Sequence, residues 1–246
     1  MKRRDEAAAL LRERGGLALD LSRLQVEAAA LEKELGQACA DLSELRSEAA
    51  GKLQRAVTED LHSMLMPNAQ FLIRLWQRED AAGVVGLDGA CWECSQEGWD
   101  RVSFDLAANS GDRPRPLGEA ASGGELARVA LALLARLSHQ SGVGAVVFDE
   151  IDQGLGGEAA NRVGDLLRKV AETRQVICVT HLAPIAARAS THLRVVKSDR
   201  DGRAQSEVAV LAGAARVDEL ARLLAGEATP GAARHHAAEL LAAVGG

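Results

Sequence analysis

An α/β architecture, in which a parallel sheet with flanking helices carries a long coiled-coil helix, is the fold that this 246-residue sequence predicts. Three observations lead there. Apolar residues recur at heptad spacing from Leu17 to Ala49. The run Ser122-Gly123-Gly124-Glu125 opens directly into an apolar-rich stretch through Leu134, the pattern of a capped helix. Two short apolar runs, Val143 to Phe148 and Gln175 to Thr180, flank a helical stretch that ends near Thr173, which makes a βαβ unit.

Composition narrows the possibilities. Hydrophobic residues make up 47% of the chain but aromatics only 2%, with no Tyr, so the core must be built mainly from Leu, Val and Ala. The net charge of -6 argues against a wholly basic nucleic-acid-binding surface. No signal-peptide pattern and no apolar run long enough to cross a membrane is present, and a reducing, cytoplasmic setting is expected. Cys39, Cys91, Cys94 and Cys178 are scattered. Cys91-Trp92-Glu93-Cys94 has the spacing of half a zinc site or of a redox pair, but no second pair exists, and these read as incidental thiols.

Residues 1–14 are charged and helical in composition, and Gly15-Gly16 is expected to interrupt them. The seam then runs Leu17, Leu21, Leu24, Ala28, Leu31, Leu35, Ala38, Leu42, Leu45, Ala49, with a stutter through Leu53 and Val57. As one helix, residues 17–57 would be about 60 Å long. The seam reads as one strand of an antiparallel coiled coil, the alternative being a long helix packed on its own domain. Pro67 should end it near Met66-Pro67-Asn68. Gln70 to Trp76 and Arg101 to Ala107 alternate as paired antiparallel strands, with Val102, Phe104 and Leu106 inward. Residues 79–90 and Asn109 to Pro116 read as loops. Beyond His181 follow a short helix (Leu182 to Ser190), a strand (His192 to Lys197), a turn (Asp199 to Arg203) and a paired strand (Ser206 to Leu211). Val217, Leu220, Ala221 and Leu224 share a helical face ended by Gly226, and Thr229-Pro230 starts the last helix. His235-His236 lies within that helix; neighbouring side chains diverge by about 100° on a helix, so the pair reads as surface rather than metal ligands.

The chemistry gathers in the middle of the chain. Ser122 at the N-cap and Glu125 at N3 form a capping box, and a well-capped helix needs nothing more. The glycine pair is left over, since Gly in a first helical turn is costly unless something approaches the backbone closely. A helix N-terminus with bare N–H groups is a natural phosphate site. A buried strand ending in Asp149-Glu150 is expensive unless the carboxylates hold a metal or do acid–base work, the bland reading being a pair satisfied by backbone. A βαβ crossover puts the C-terminal ends of both strands at one sheet edge, so Asp149, Glu150 and His181 should converge.

This ordered set resembles the C-terminal half of an ABC-type ATPase. Ser122 to Glu125 resembles its signature motif, Ala145-Val146-Val147-Phe148-Asp149-Glu150 its Walker B strand, Asp152 to Gly156 its D-loop and Thr180-His181 its H-loop. The wording is closer still to the RecN family of bacterial double-strand-break repair ATPases, which is related to the SMC proteins. Ala121 to Arg128, Phe148 to Gly157, Val176 to Ala187 and Glu219 to Leu224 carry that match, which runs from about residue 40 to the C-terminus.

The resemblance implies a coiled-coil arm over residues 1–66 and the C-terminal lobe of an ABC ATPase head over 67–246. It implies ATP and Mg²⁺, with Asp149 holding the metal, Glu150 acting as general base and His181 contacting the γ-phosphate. Ser122, Gly123, Gly124 and Glu125 would bind ATP held on an opposing subunit, and Asp152 and Gly154 would shape the dimer-facing turn. Gly156 stands where many ABC ATPases have an acidic residue, a departure at the point where that turn would contact the opposing subunit. The implied partners are an N-terminal half of the same head, a second head in a homodimer, double-strand DNA ends and RecA, in the cytoplasm at the nucleoid and with no membrane. No Gly-x-x-x-x-Gly-Lys-Ser/Thr occurs in the sequence, so the expectation is a C-terminal part of a longer protein that binds ATP poorly alone. An SMC-type chromosome-organising ATPase and a non-catalytic coiled-coil scaffold are the alternatives, and a heptad arm fits a transporter ATPase poorly.

Overall fold

A computed structural model describes residues 2–137, 144–200, 203–226 and 231–244. The class is the predicted one, mixed α/β with a long leading helix. Helix α1 (Lys2–Ser63) runs 62 residues without a break. The interruption expected at Gly15-Gly16 does not occur. Glycine costs about 1 kcal/mol in a helix interior, too little to break a helix with strong formers on both sides. The helix stops ahead of Pro67, where the N–H groups of Met64 and Met66 both donate to the Leu61 carbonyl, at 3.0 and 3.1 Å.

The chain divides into two compact units, Met1–Lys52 with Ile73–Ser103, and Leu53–Leu72 with Phe104–Gly246. In the first, the heptad residues Leu21, Leu24, Leu31, Leu35 and Leu45 are exposed. The helix uses a different stripe, Gly36, Cys39, Ser43 and Arg46, spaced three and four apart. Cys39 Sγ lies 3.5 Å from Cys94 Sγ, Trp99 Nε1 donates to Ser43 Oγ at 2.7 Å, and Arg46 pairs with Asp100 at 3.1 Å. Burial raises the Cys39 thiol to about 11, with the Cys94 thiol adding to it. The loop expected over 79–90 contains a strand, β2 (Glu79–Val85), antiparallel to β3 (Cys91–Trp92). Its pairing is confined to Glu79, Val84 and Val85, with a register shift between, and the Asp-Ala-Ala-Gly run that intervenes hides the strand from pattern reading.

Strand β1 (Gln70–Trp76) lies beside β4 (Arg101–Ala107), as predicted, and β5 (Arg115–Pro116) pairs antiparallel with β4. The expected inward trio is corrected. Leu106 is buried, but Val102 and Phe104 are 49% and 42% exposed, Phe104 stacking on Phe71 at 5.8 Å. The second unit continues with α2 (Leu117–Ala120), α3 (Gly123–Arg136), β6 (Ala145–Phe148), α4 (Gly157–Ala171), β7 (Gln175–Cys178) and α5 (Ala183–Ala186). Then come β8 (His192–Arg200), β9 (Arg203–Leu211), α6 (Gly213–Ala225) and α7 (Gly231–Val244). Strands β6 and β7 are parallel, paired from Ala145↔Gln175 to Phe148↔Cys178. Strands β8 and β9 form a hairpin longer than predicted. Val143, Thr229 and Pro230 lie outside the described residues.

Leu220 and Ala221 on α6 pack with Ala183, Ala186 and Ala187 and with Ala237 of α7, joined by Val217 and Leu224 from the predicted face. His235 and His236 are exposed, as read, and His235 meets Glu239 at 3.2 Å. Asp60, only 1% exposed, accepts from Arg136 of α3 at 2.8 Å and Arg162 of α4 at 2.9 Å. No helix among the described residues is long and apolar enough to cross a membrane.

Asp100 offers a pH test. Burial alone would raise its carboxyl, but bonds from Ser43, Gln77 and Arg46 outweigh burial and hold it below its ordinary value of 3.8. A carboxyl lowered by folding contributes stability that is complete above its unfolded value and is lost as pH falls through the folded one. Thermal unfolding read by tryptophan fluorescence should therefore weaken below about pH 4. All three tryptophans (76, 92 and 99) lie in the first unit. Asp100→Asn should be less stable at pH 7 and lose part of that acid dependence; an unchanged profile would contradict the assignment.

Candidate active site

Helix α3 begins as its sequence dictates. Ser122 Oγ accepts from the Glu125 N–H at 3.4 Å, and Glu125 Oε2 accepts from the Ser122 N–H at 2.8 Å, closing the capping box. The close approach that its glycines permit is made within the chain. A Cβ at Gly123 would stand 3.1 Å from Glu150 Oε2, and one at Gly124 would stand 3.0 Å from the Glu150 carbonyl oxygen and 3.1 Å from Gln153 Oε1.

Strand β6 delivers Asp149 and Glu150 to the same place. Both carboxylates are exposed, and Val147 before them is 64% exposed, so the buried carboxylate-tipped strand of the sequence reading is corrected. Only Phe148 is buried, because β6 has a single described neighbour, β7. Glu150 adopts a left-handed φ of 57°, which costs a residue with a β-carbon about 1 kcal/mol. Two backbone bonds hold it there. Its N–H donates to Asp149 Oδ1 at 2.9 Å, and its carbonyl accepts from the Gln153 N–H at 3.1 Å.

The turn that follows carries Gly154 at φ 73° and Asp152, which is 5% exposed. Asp152 Oδ2 accepts from Thr180 Oγ1 at 2.7 Å and from the His181 N–H at 2.9 Å, and it lies 2.9 Å from His181 Nδ1. The His181 side chain is otherwise 72% exposed. At the end of β7, burial pushes the Cys178 thiol up to about 12, with Asp152 and then Asp149 adding to it. That thiol stays protonated and is no nucleophile.

The predicted residues thus fall into two contacts. Ser122 to Glu125 meets Glu150, and the Asp152 turn meets Thr180-His181. Among the described residues no group of three or more His, Cys, Asp or Glu side chains is gathered as a metal site. Asp149, exposed beside Glu150 and with Oδ1 holding the Glu150 N–H, offers a metal few protein oxygens, which suits an ion that keeps most of its water, as Mg²⁺ does.

Gln153 and Arg128 escaped the sequence reading. Arg128 is 8% exposed on α3, and its guanidinium donates to the Gln153 carbonyl at 3.2 Å. Burial lowers it from its ordinary value, against the pull of Glu125. A signal was available, since Arg128 falls on the helix's buried stripe of Gly124, Val129, Leu131, Ala132 and Ala135, where a cation is out of place.

Comparison with known proteins gives a consistent answer. DNA repair protein RecN of Mycobacterium leprae (strain TN) is 42% identical over 199 residues, 78% of this chain and 34% of its own. Over that span the chain is a relative of RecN. The RecN proteins of Treponema pallidum (strain Nichols), 39% identical over 74% of this chain and 31% of its own, and of Bacillus subtilis (strain 168), 35% identical over 78% and 34%, agree. The chain spans about one third of the length of these RecN relatives. No protein-family model matches. Among solved structures, the Smc head domain with a coiled coil and joint from Pyrococcus yayanosii is 23% identical, covering 72% of this chain and 29% of that one at a TM-score of 0.46. The SMC head domain from Thermotoga maritima is 20% identical, covering 71% and 52% at a TM-score of 0.33.

The glycine contacts differ in kind. A methyl group at Gly123 meets the free end of a side chain, whereas one at Gly124 meets a backbone carbonyl in an already strained turn. Gly124→Ala should cost about 1 kcal/mol more than Gly123→Ala in urea denaturation. Equal costs would contradict the close approach at Gly124.

Proposed function

We propose that this chain is the C-terminal part of a RecN-like DNA repair ATPase, in which ATP binding and hydrolysis between two engaged heads is coupled to double-strand-break repair and recombination. One observation carries the reading: in a relative of RecN, a capped, diglycine helix N-terminus meets Glu150 after the first strand of a parallel pair, and the turn that follows meets His181 after the second.

The roles follow from the chemistry. Glu150, with an accessible carboxylate at the strand end, would take the proton of the attacking water. His181 would contact the γ-phosphate through Nε2, since Nδ1 faces Asp152. Ser122 and the backbone of Gly123 and Gly124, at a helix start that the Glu125 cap holds in place, would receive the γ-phosphate of ATP bound on the opposing head. Asp149 would hold Mg²⁺, which when bound neutralises phosphate charge. Asp152 and Gly154 would shape the turn at the dimer face.

Two apolar faces support a missing N-terminal half. Val147, Ile177 and Val179 are exposed along β6 and β7. On the β8–β9 hairpin, Leu193 pairs with Val210 and Val195 with Val208, and all four are exposed on one face. Contiguous apolar surface of this kind marks an interface. The uncovered leucine seam of α1 awaits the other helix of an arm spanning 1–66, and 67–246 would be the lobe it carries. The whole assembly would be a cytoplasmic, nucleoid-associated homodimer with DNA ends and RecA as partners.

ATP hydrolysis by this chain, alone and with a separately made Walker A-bearing N-terminal half, tests the reading. Activity should appear only in the mixture and fall by about 10²-fold or more in Glu150→Gln. Activity of the chain alone, or unchanged turnover in Glu150→Gln, would overturn it.

A further inference from the structure

Asp152 is more than a turn residue. It is a carboxylate with 7% of its side chain exposed and, among the described residues, no Lys or Arg paired with it, and burial of such a group is costly unless its oxygens are satisfied. Oδ2 is satisfied by the segment at the end of β7. Thr180 Oγ1 accepts from the Leu182 N–H at 3.0 Å, which leaves the hydroxyl proton to donate to Asp152 at 2.7 Å. The His181 N–H donates to the same oxygen at 2.9 Å. The His181 ring then closes back on it, Nδ1 to Oδ2 at 2.9 Å. An ionised carboxylate is an acceptor only, so the proton on this contact belongs to Nδ1.

We propose that Asp152 is the positioning residue for His181: it fixes the ring by holding Nδ1–H, and so presents Nε2 to a phosphate oxygen at the edge of β6 and β7. The phosphate part rests on the ATPase reading above; the ring geometry does not. The neighbour on one ring nitrogen sets what the other can do, as with histidines whose second nitrogen binds a metal or a reacting group. With Nδ1 committed, Nε2 carries a lone pair in the neutral ring. When an anionic oxygen arrives, a proton taken from solvent at Nε2 makes that nitrogen a donor, and the imidazolium lies between two anions. Asp152 reaches His181 from a turn 29 residues earlier, the turn that carries Gly154.

Long-range ¹H–¹⁵N correlation spectra of the ¹⁵N-labelled chain near pH 7 test this without nucleotide, His181 being assigned by its loss in His181→Gln. The expected wild-type ring bears its proton on Nδ1, and Asp152→Ala moves it to Nε2, the nitrogen that an unrestrained side chain favours. A wild-type ring protonated at Nε2 alone overturns the proposal and needs no variant to fold. In the reconstituted ATPase, Asp152→Ala and His181→Gln should each lower kcat by about 10²-fold, and the double variant should be no slower than His181→Gln. Equal, multiplying losses would mean that Asp152 acts independently of His181 and would overturn it. If the two halves hydrolyse no ATP at all, the ATPase reading falls, and the ring tautomer alone decides whether Asp152 positions His181.

Discussion

The carboxylate of Asp152 holds the edge of this structure together. Parallel strands β6 and β7 can align their ends but cannot fix the loops that leave them. One buried oxygen that accepts from Thr180 Oγ1 and the His181 N–H and meets His181 Nδ1 does so, and it joins a turn after the first strand to a turn after the second. An unsatisfied buried carboxylate is costly, so the bonds are mutually enforcing. Asp60 plays a similar part at the far end of the unit's helices. It draws Arg136, in the last turn of α3, and Arg162 of α4 toward the last turns of α1. The start of α3 is thereby set by its capping box and its end by an ion cluster.

Glu150 is the strained element. Its left-handed backbone places its carbonyl against Gly124 and its carboxylate near Gly123. The diglycine therefore serves two demands. It leaves the Gly123 backbone exposed at a helix start, and at the buried Gly124 it admits the carboxylate-bearing turn to the same spot. Strain of this kind clusters where chemistry needs a residue held ready.

Much of this was legible in the sequence because its signals are local. The capping box, the βαβ unit and the apolar face of α6 are written in spacings of three, four and two. What was not legible depends on partners distant in sequence. Gly15-Gly16 looks like a break, but the flanking helix formers decide. Strand β2 is invisible because its middle residues do not pair. Val102 and Phe104 share a face with the buried Leu106, yet the cover on that face does not extend fully over them. The burial expected at Asp149-Glu150 assumes a sheet with neighbours on both sides, and among the described residues β6 has only β7. Asp152 was read as part of a turn, because nothing local announces that its acceptors' partners lie 28 and 29 residues away. The heptad leucines announced an arm, but the helix packs its first unit through Gly36, Cys39, Ser43 and Arg46 and leaves that seam open.

Under the proposed function, this chain would supply two half-sites to two different nucleotides. A crystal structure of the chain combined with its Walker A-bearing half, Mg²⁺ and a non-hydrolysable ATP analogue tests it most directly. The expected arrangement is Glu150 and His181 of one copy, and Ser122 and Gly123 of the other, around each γ-phosphate. Finding all four from a single copy around one nucleotide, or no nucleotide near Ser122, would contradict it.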